Sequence, residues 1–300
     1  MTINTDKRKY LQPETVALLS SMAMRARLVV EGYIIGQHQS PYHGFSVEFA
    51  EHRAYGSGDE IRHIDWKLFG KTDRLYIKRY EEETNMRTQI ILDTSRSMLY
   101  KSGKVSKLTY ANSLAASLSY LMINQQDAVG ITQFSKKIDN TIPPKSKPSH
   151  LGIILAQLDD ERTGMDTKVG LVLHELAERI KKRGLVILIS DLLDDQNNIM
   201  NGLKHFRHQK QEVIVFHILD RKELEFDFST RTNFIDMESG EEIVTEPWHI
   251  QSDYKKLIAN LQSNYKKECR EHLIDYVPIF TNQSLDISIT EYLNKRKKLF

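Results

Sequence analysis

The sequence predicts an α/β protein in which a mostly parallel sheet is flanked by helices on both faces. Nearly uninterrupted aliphatic runs recur along the chain, for example at residues 185–190 and 212–219. Such runs are typical of strands that are buried on both faces of a parallel sheet. Segments with apolar residues at helical spacing alternate with these strands, which indicates successive βαβ units.

The first part of the chain has a different character. Apolar residues at helical spacing over residues 13–32 predict an N-terminal helix. Between residues 36 and 83, short alternating runs such as residues 45–49 are separated by glycines, which predicts a small β-rich region. We therefore predict two parts, a helix with a β-rich region over residues 1–86 and an α/β domain over residues 87–300.

The α/β domain is predicted to contain five strands, at residues 88–92, 128–134, 185–190, 212–219 and 276–280. Its predicted helices cover residues 107–124, 150–158, 168–183, about 250–271 and a last segment that begins near 285. The proline-rich run at residues 143–148 is predicted to be a surface loop. Residues 234–245 are predicted to form a hairpin that turns at Ser239 and Gly240.

Oxygen-bearing side chains follow two of the predicted strands. Asp93 closes the first strand of the domain, and the hydroxyls of Ser95 and Ser97 come two and four residues later. Asp191 closes the third strand in the same way, and Thr167 lies just before a predicted helix. Because ligands of open α/β sheets bind where the carboxyl ends of the strands converge, we expect these side chains to meet at one edge.

The donors of this group are all oxygen atoms, and no histidine or cysteine pair stands beside them. Carboxylates and hydroxyls suit a hard cation that keeps several of its waters. The residues therefore predict Mg²⁺ or Mn²⁺ rather than zinc. The alternative is that Asp93, Ser95 and Ser97 only cap the helix that follows the strand.

The pattern Asp93-x-Ser95-x-Ser97, with a distant Thr167 and a distant Asp191, resembles the metal-ion-dependent adhesion site (MIDAS) of von Willebrand factor A domains. The resemblance implies a Rossmann-like von Willebrand A fold. It also implies that the two serines and the threonine contact or approach the ion, while the aspartates act largely through water. Such an ion keeps an open coordination position that an acidic side chain of a protein partner can fill.

A second resemblance covers nearly the whole chain. The runs FSVEF at residues 45–49, RAY at 53–55 and GDEIRHIDW at 58–66 resemble the hallmark of domain of unknown function 58. Those bacterial proteins are typically encoded beside MoxR-type AAA+ ATPases, which implies such an ATPase as the partner. Many members carry membrane helices, but this sequence has no apolar run of spanning length and only one cysteine, Cys269. We therefore predict a cytoplasmic protein without a membrane span.

An enzymatic alternative uses the same strand end. An acid followed by hydroxyls also fits a Mg²⁺-dependent phosphohydrolase or phosphotransferase with Asp93 as the nucleophile. That class usually has a second acid where Ser95 stands, and the sequence has no phosphate-binding glycine-rich loop. We therefore predict a non-catalytic protein-binding module with no catalytic residues.

A further alternative is nucleic-acid or lipid-headgroup binding through residues 53–79. The basic and aromatic side chains that would form this surface are Arg53, Arg62, Lys67, Lys71, Arg74, Lys78, Arg79, Tyr55, Trp66, Tyr76 and, just beyond the range, Tyr80. Interleaved acids and a net charge of only +2 favour a salt-bridged surface, so no nucleic-acid partner is expected. The candidate partner-binding residues are Arg53, Asp59, Arg62, Asp65 and Trp66. The four charged residues also fit a buried polar network, and Trp66 also fits a core anchor.

Overall fold

The computed structural model describes residues 12–19, 21–37, 52–56, 64, 66–78, 86–160, 168–228, 230–236 and 240–299. The helices within these residues are α1 (Pro13–Ala17), α2 (Met22–Gln37), α3 (Trp66–Thr72), α4 (Lys107–Asn124), α5 (Pro148–Asp159), α6 (Val169–Arg179), α7 (Gln196–His208), α8 (Arg221–Glu225), α9 (Pro247–Glu271) and α10 (Asp286–Leu299). The strands are β1 (His52–Ala54), β2 (Tyr76–Lys78), β3 (Arg87–Asp93), β4 (Ala128–Phe134), β5 (Ile138–Lys145), β6 (Leu185–Ser190), β7 (Glu212–Leu219), β8 (Thr232–Ile235), β9 (Glu242–Thr245) and β10 (Asp275–Phe280).

The chain forms two compact units, one of residues 40–85 and one of residues 1–39 together with 86–300. Helices α1 and α2 belong to the larger unit, because Val16, Ala26 and Val29 are fully buried in the hydrophobic core that also contains α4. The predicted grouping of the N-terminal helix with the β-rich region over residues 1–86 therefore differs from the structure. The apolar residues of α1 and α2 are covered by the rest of the larger unit.

The smaller unit contains β1 and β2, which pair in antiparallel fashion with Arg53 opposite Ile77. The predicted β-character holds for these strands, but helix α3 lies between them in the chain. The helix ends at Thr72, whose hydroxyl donates to the carbonyl of Leu68, and Asp73 follows in the left-handed conformation with φ 48°. A helix of seven residues is too short for its periodicity to stand out in the sequence.

The larger unit is built on a six-stranded sheet in the order β10-β7-β6-β3-β4-β5. All neighbours are parallel except β5, which runs antiparallel to β4. Counted by chain order from the β5 edge, the strands read 3-2-1-4-5-6, as in doubly wound nucleotide-binding folds. The predicted α/β class with a mostly parallel sheet is confirmed, and the topology is consistent with a Rossmann-like fold of the von Willebrand A type.

Both faces of the sheet are covered, because alternate side chains of each strand enter opposite hydrophobic clusters. In β3, Ile90 and Leu92 join the cluster that contains α2, α4 and α10, whereas Ile91 joins the cluster that contains α6, α7 and α9. Strand β6 is buried along its whole length. Within the described residues, no helix has the length and apolar character needed to cross a membrane.

Strand β5 corrects the sequence prediction for residues 143–148. Pro143 and Pro144 belong to this strand instead of a loop, and helix α5 begins at Pro148. Proline lacks the N–H that an interior strand must donate, but an edge strand tolerates it. The pairing of β5 with β4 shows register shifts near Ile131 and Phe134, which is a further property of irregular edge strands.

Candidate metal centre

The candidate site lies where the order of strands in the sheet reverses, between β3 and β6. Asp93 is the last residue of β3, and Asp191 directly follows β6. The two strands are parallel neighbours with Leu92 opposite Ile189, so both acids emerge at the carboxyl edge. In open α/β sheets this switch point is the place where a crevice forms and ligands bind.

The carboxylate of Asp93 is fully buried and held by two donors. Its Oδ1 accepts a 2.9 Å hydrogen bond from the backbone N–H of Ser95, and its Oδ2 accepts a 2.6 Å bond from the hydroxyl of Ser190. Burial, and then the nearby charge of Asp191, raise the pKa of Asp93 above its ordinary range, although these hydrogen bonds oppose the shift. The protein thus stabilises the negative charge of Asp93 only in part, and the neutral form of this carboxyl is favoured more than in an ordinary aspartate.

The two predicted hydroxyl ligands lie side by side. Ser95 Oγ and Ser97 Oγ are 3.0 Å apart, with Ser95 fully buried and Ser97 half-buried. Ser95 precedes a short 3-10 turn and makes no side-chain capping bond to it. Helix α4 is instead capped by Ser106, whose hydroxyl accepts from the N–H of Thr109 at 3.0 Å. The capping of α4 is thus supplied by Ser106, and the hydroxyl of Ser95 makes no capping bond.

Asp191 has a partner that the sequence did not reveal. Its Oδ2 accepts a 2.9 Å bond from Nζ of Lys107, the first residue of α4, and its Oδ1 accepts a long 3.4 Å bond from the N–H of Leu193. Nζ of Lys107 also contacts Oε1 of Glu223 at 2.9 Å. The side chain of Lys107 is only 1% exposed. The two carboxylates outweigh the cost of burying this ammonium group and raise its pKa above the ordinary value.

His217 fixes the backbone of the same loop. Its Nε2 lies 2.9 Å from the carbonyl oxygen of Asp191, and its Nδ1 lies 2.6 Å from the hydroxyl of Tyr276. Burial lowers the pKa of His217 to about 4, so the ring is neutral at physiological pH. Because a carbonyl only accepts, Nε2 carries the proton and donates, while Nδ1 accepts from the tyrosine hydroxyl.

The loops beside the site differ in charge. Loop 94–106 after β3 and loop 135–137 after β4 contain five basic residues and no acid, namely Arg96, Lys101, Lys104, Lys136 and Lys137. The loop after β6 contains Asp194 and Asp195, which have structural partners. Asp194 accepts from the N–H of Gly170 at 3.2 Å, and Asp195 caps α7. The edge is therefore basic on its β3–β4 side.

Of the remaining predicted site residues, Trp66 alone has a described side chain. Thr167, Asp59, Arg62 and Asp65 lie outside the described residues, and of Arg53 only the backbone in β1 is described. Trp66 begins α3, is 58% exposed and packs edge-to-face against Phe69. No group of three or more His, Cys, Asp or Glu side chains is placed to hold a metal within the part of the chain that is described. A metal at the carboxyl edge would thus depend on serine hydroxyls as well as on carboxylates.

Known proteins resemble this chain at the level of a family. The family model described as "Protein of unknown function DUF58" matches residues 51–264, which is more than half of the chain. The uncharacterized proteins Rv1480 of Mycobacterium tuberculosis and Mb1516 of Mycobacterium bovis are each 22% identical to it over 231 residues. The match covers 76% of this chain and 72% of each relative.

Two solved structures from Bacteroides are similar over most of their length. An aerotolerance-related membrane protein from Bacteroides fragilis matches with a TM-score of 0.48 and 19% identity, covering 70% of this chain and 99% of that one. The conserved hypothetical protein BatB from Bacteroides thetaiotaomicron matches with a TM-score of 0.48 and 19% identity, covering 71% and 99%. The fold of this chain is defined by its own strand order.

Proposed function

The chain belongs to the DUF58 family, and we propose that it is a non-catalytic protein-binding module whose carboxyl edge between β3 and β6 binds Mg²⁺ or Mn²⁺. The observation that carries this proposal is the fully buried carboxylate of Asp93 beside two serine hydroxyls that are 3.0 Å apart. Among the described residues, no basic side chain forms an ion pair with Asp93. A buried carboxylate without a counter-ion is costly, and a divalent cation offsets that cost.

The balance of charge at the edge supports the same proposal. Asp191 and Glu223 share the ammonium group of one buried cation, Lys107, and the charge of Asp191 also acts on the buried carboxyl of Asp93. The cluster therefore has an excess of negative charge in a region of low dielectric constant. Its donors are oxygen atoms only, which matches the preference of Mg²⁺ and Mn²⁺.

Each residue of the candidate site has a proposed role in binding the ion. The hydroxyls of Ser95 and Ser97 are the proposed direct ligands, together with Thr167. Asp93 and Asp191 are proposed to act through bound water, since each already accepts hydrogen bonds from the protein. When bound, the ion supplies a positive charge with an exchangeable coordination position, which an acidic side chain of a partner fills.

The partner is proposed to be acidic at the contact. The basic loops after β3 and β4 favour an acidic segment next to the anchoring carboxylate, because complementary charge speeds and orients association. A MoxR-type AAA+ ATPase or its client is the proposed partner, in line with the family resemblance. We also propose that the protein resides in a reducing compartment such as the cytoplasm, because Cys269 is a buried free thiol.

Catalysis through Asp93 is less well supported than binding. A nucleophilic carboxylate must present a free oxygen to its substrate, whereas both oxygens of Asp93 are buried and accept hydrogen bonds. Ser95 stands two residues on, where the phosphotransferase alternative usually has its second acid. The proposal therefore keeps Asp93 as a support of the ion.

Isothermal calorimetry of Mg²⁺ and Mn²⁺ tests the proposal. Asp93→Asn preserves the shape of the side chain but removes its charge, and we expect it to abolish ion binding that the wild-type protein shows. Asp253→Ala, an exposed carboxylate on α9, is the matched control and should bind as the wild type does. An absence of binding to the wild type, or equal binding to Asp93→Asn, would contradict the metal site. Association with the ATPase, measured with Mg²⁺ and again with EDTA, should require the ion.

A further inference from the structure

Lys107 is a buried cation placed between the candidate metal site and helix α8. Its side chain is 1% exposed, and its Nζ lies 2.9 Å from both Asp191 Oδ2 and Glu223 Oε1. A lysine is almost never fully buried unless it is paired. Its position at the first turn of α4 places it directly after the loop that carries Ser95 and Ser97.

The contact with Asp191 has a direct consequence for ion binding. Oδ2 of Asp191 already accepts a hydrogen bond from the ammonium group, so this oxygen is a weaker acceptor for the water bound to a metal. A positive charge at this place also repels a divalent cation through a medium of low dielectric constant. Both effects lower the affinity of the site for Mg²⁺.

The contact with Glu223 ties the same cation to a second network. Glu223 belongs to the capping box of α8, and its Oε2 accepts from the N–H of Asp220 at 3.3 Å. The carboxylate of Asp220 accepts in turn from the N–H of Ser102 at 3.0 Å. Ser102 lies in the loop that bears the two serine ligands. Lys107 thus links Asp191, helix α8 and this loop through consecutive hydrogen bonds.

We infer that Lys107 is a positioning residue that sets the metal affinity of the carboxyl edge by competing with the ion for Asp191. Glu223 regulates this competition, because it draws the ammonium group away from Asp191. The inference rests on the proposed metal-binding function and deepens it. Because an acidic side chain of the partner is proposed to bind the same ion, ion binding and partner binding reinforce each other, and competition by Lys107 keeps the ion exchangeable.

The test compares Mg²⁺ affinity by calorimetry in three proteins. In Lys107→Met combined with Glu223→Gln, a positive and a negative charge are removed together, and Asp191 is released. We expect this double variant to bind Mg²⁺ about tenfold more tightly than the wild type. In Glu223→Gln alone, Lys107 pairs with Asp191 only, and we expect weaker binding by about threefold or more. These opposite directions distinguish competition from a merely structural role, which would weaken both variants.

The matched control is Lys204→Met combined with Glu268→Gln, which removes a half-exposed pair of the same kind between α7 and α9. It should leave Mg²⁺ affinity unchanged. If the wild type binds Mg²⁺ but the Lys107 double variant binds equally or more weakly, the inference is overturned while the proposed function stands. If the wild type does not bind the ion, the proposed function fails first. Should the double variant not fold, an unchanged affinity in Glu223→Gln overturns the inference on its own.

Discussion

Ser190 Oγ donates a 2.6 Å hydrogen bond to Asp93 Oδ2 and thereby joins the ends of the two central strands. Both residues are fully buried. The same hydroxyl oxygen accepts a 2.9 Å bond from the N–H of Leu192. The orientation of Asp93 and the conformation of the loop that carries Asp191 therefore depend on one serine side chain.

Replacement of Ser190 by alanine tests this relationship. The change leaves an oxygen of a buried carboxylate without a donor, and we expect the free energy of unfolding to fall by about 1–3 kcal/mol. Urea denaturation monitored by circular dichroism measures the change. Ser119→Ala is the control, because Ser119 is equally buried but donates to the helix carbonyl of Ala115, which already has its backbone partner. Equal losses in the two variants would contradict a special role for Ser190.

His217 predicts a dependence of stability on pH. Its pKa is lowered from 6.5 to about 4 in the folded protein by burial. As the pH falls below 6.5, the pKa of this histidine in the unfolded chain, the unfolded chain binds a proton that the folded protein does not bind until about pH 4. This contribution to stability is present above about pH 6.5 and is lost between there and about pH 4, by about 3 kcal/mol in total.

The quantity to compare is the change in the free energy of unfolding with pH, not the free energy at a single pH. His217→Gln should show a smaller decrease in the free energy of unfolding between pH 7 and pH 4.5 than the wild type. His249→Gln, which removes an exposed histidine on α9, should retain the wild-type decrease. Because other groups such as Asp93 titrate in all three proteins, the differences between them isolate the contribution of His217. A decrease of the same size in His217→Gln would contradict the assignment.

The central elements could be predicted because their sequence patterns follow from burial alone. Strand β3 is aliphatic at residues 90–92 and β6 at residues 185–189, since both faces of these strands are covered, and the bounds predicted for α4 are those of the structure. The edge strand β5 was missed because its prolines are read as loop residues unless the neighbouring strand is known. Patterns in one segment identify buried elements, whereas an edge is defined by its position in the sheet.

The site was predictable in its strand-end residues but not in their supports. Asp93 and Asp191 follow recognisable strands, so their meeting at one edge follows from parallel topology. Lys107 was not identified, because Lys101 and Lys104 stand in the same short stretch and nothing local shows which lysine is buried. Its burial depends on Glu223, which is far away in the sequence. Contacts between distant segments are the part that a single sequence does not disclose.

Gly184 precedes β6 and lies close to β3, so we expect a single added methyl group at this position to destabilise the protein. A Cβ added there would lie 2.2 Å from the backbone carbonyl oxygen of Arg87, at the start of β3. Backbone cannot yield as a side chain does, so Gly184→Ala should lower the free energy of unfolding by about 1–3 kcal/mol. Gly152→Ala in α5 is the control, because a Cβ there meets nothing within 4 Å. The control should instead gain about 0.5–1 kcal/mol, since alanine is the better helix former.

The basic loops after β3 predict how an acidic partner depends on salt. Lys101 and Lys104 are both exposed in the loop that also carries Ser95 and Ser97. With Mg²⁺ present, binding of a polyglutamate peptide should weaken by about threefold to tenfold in the double variant Lys101→Gln with Lys104→Gln, and the loss should shrink as salt is raised. Lys181→Gln with Lys182→Gln removes the same charge before β6, at the opposite edge of the sheet. An equal loss in this control would show that net charge alone attracts the peptide, and would contradict a specific role of the basic loops in binding it.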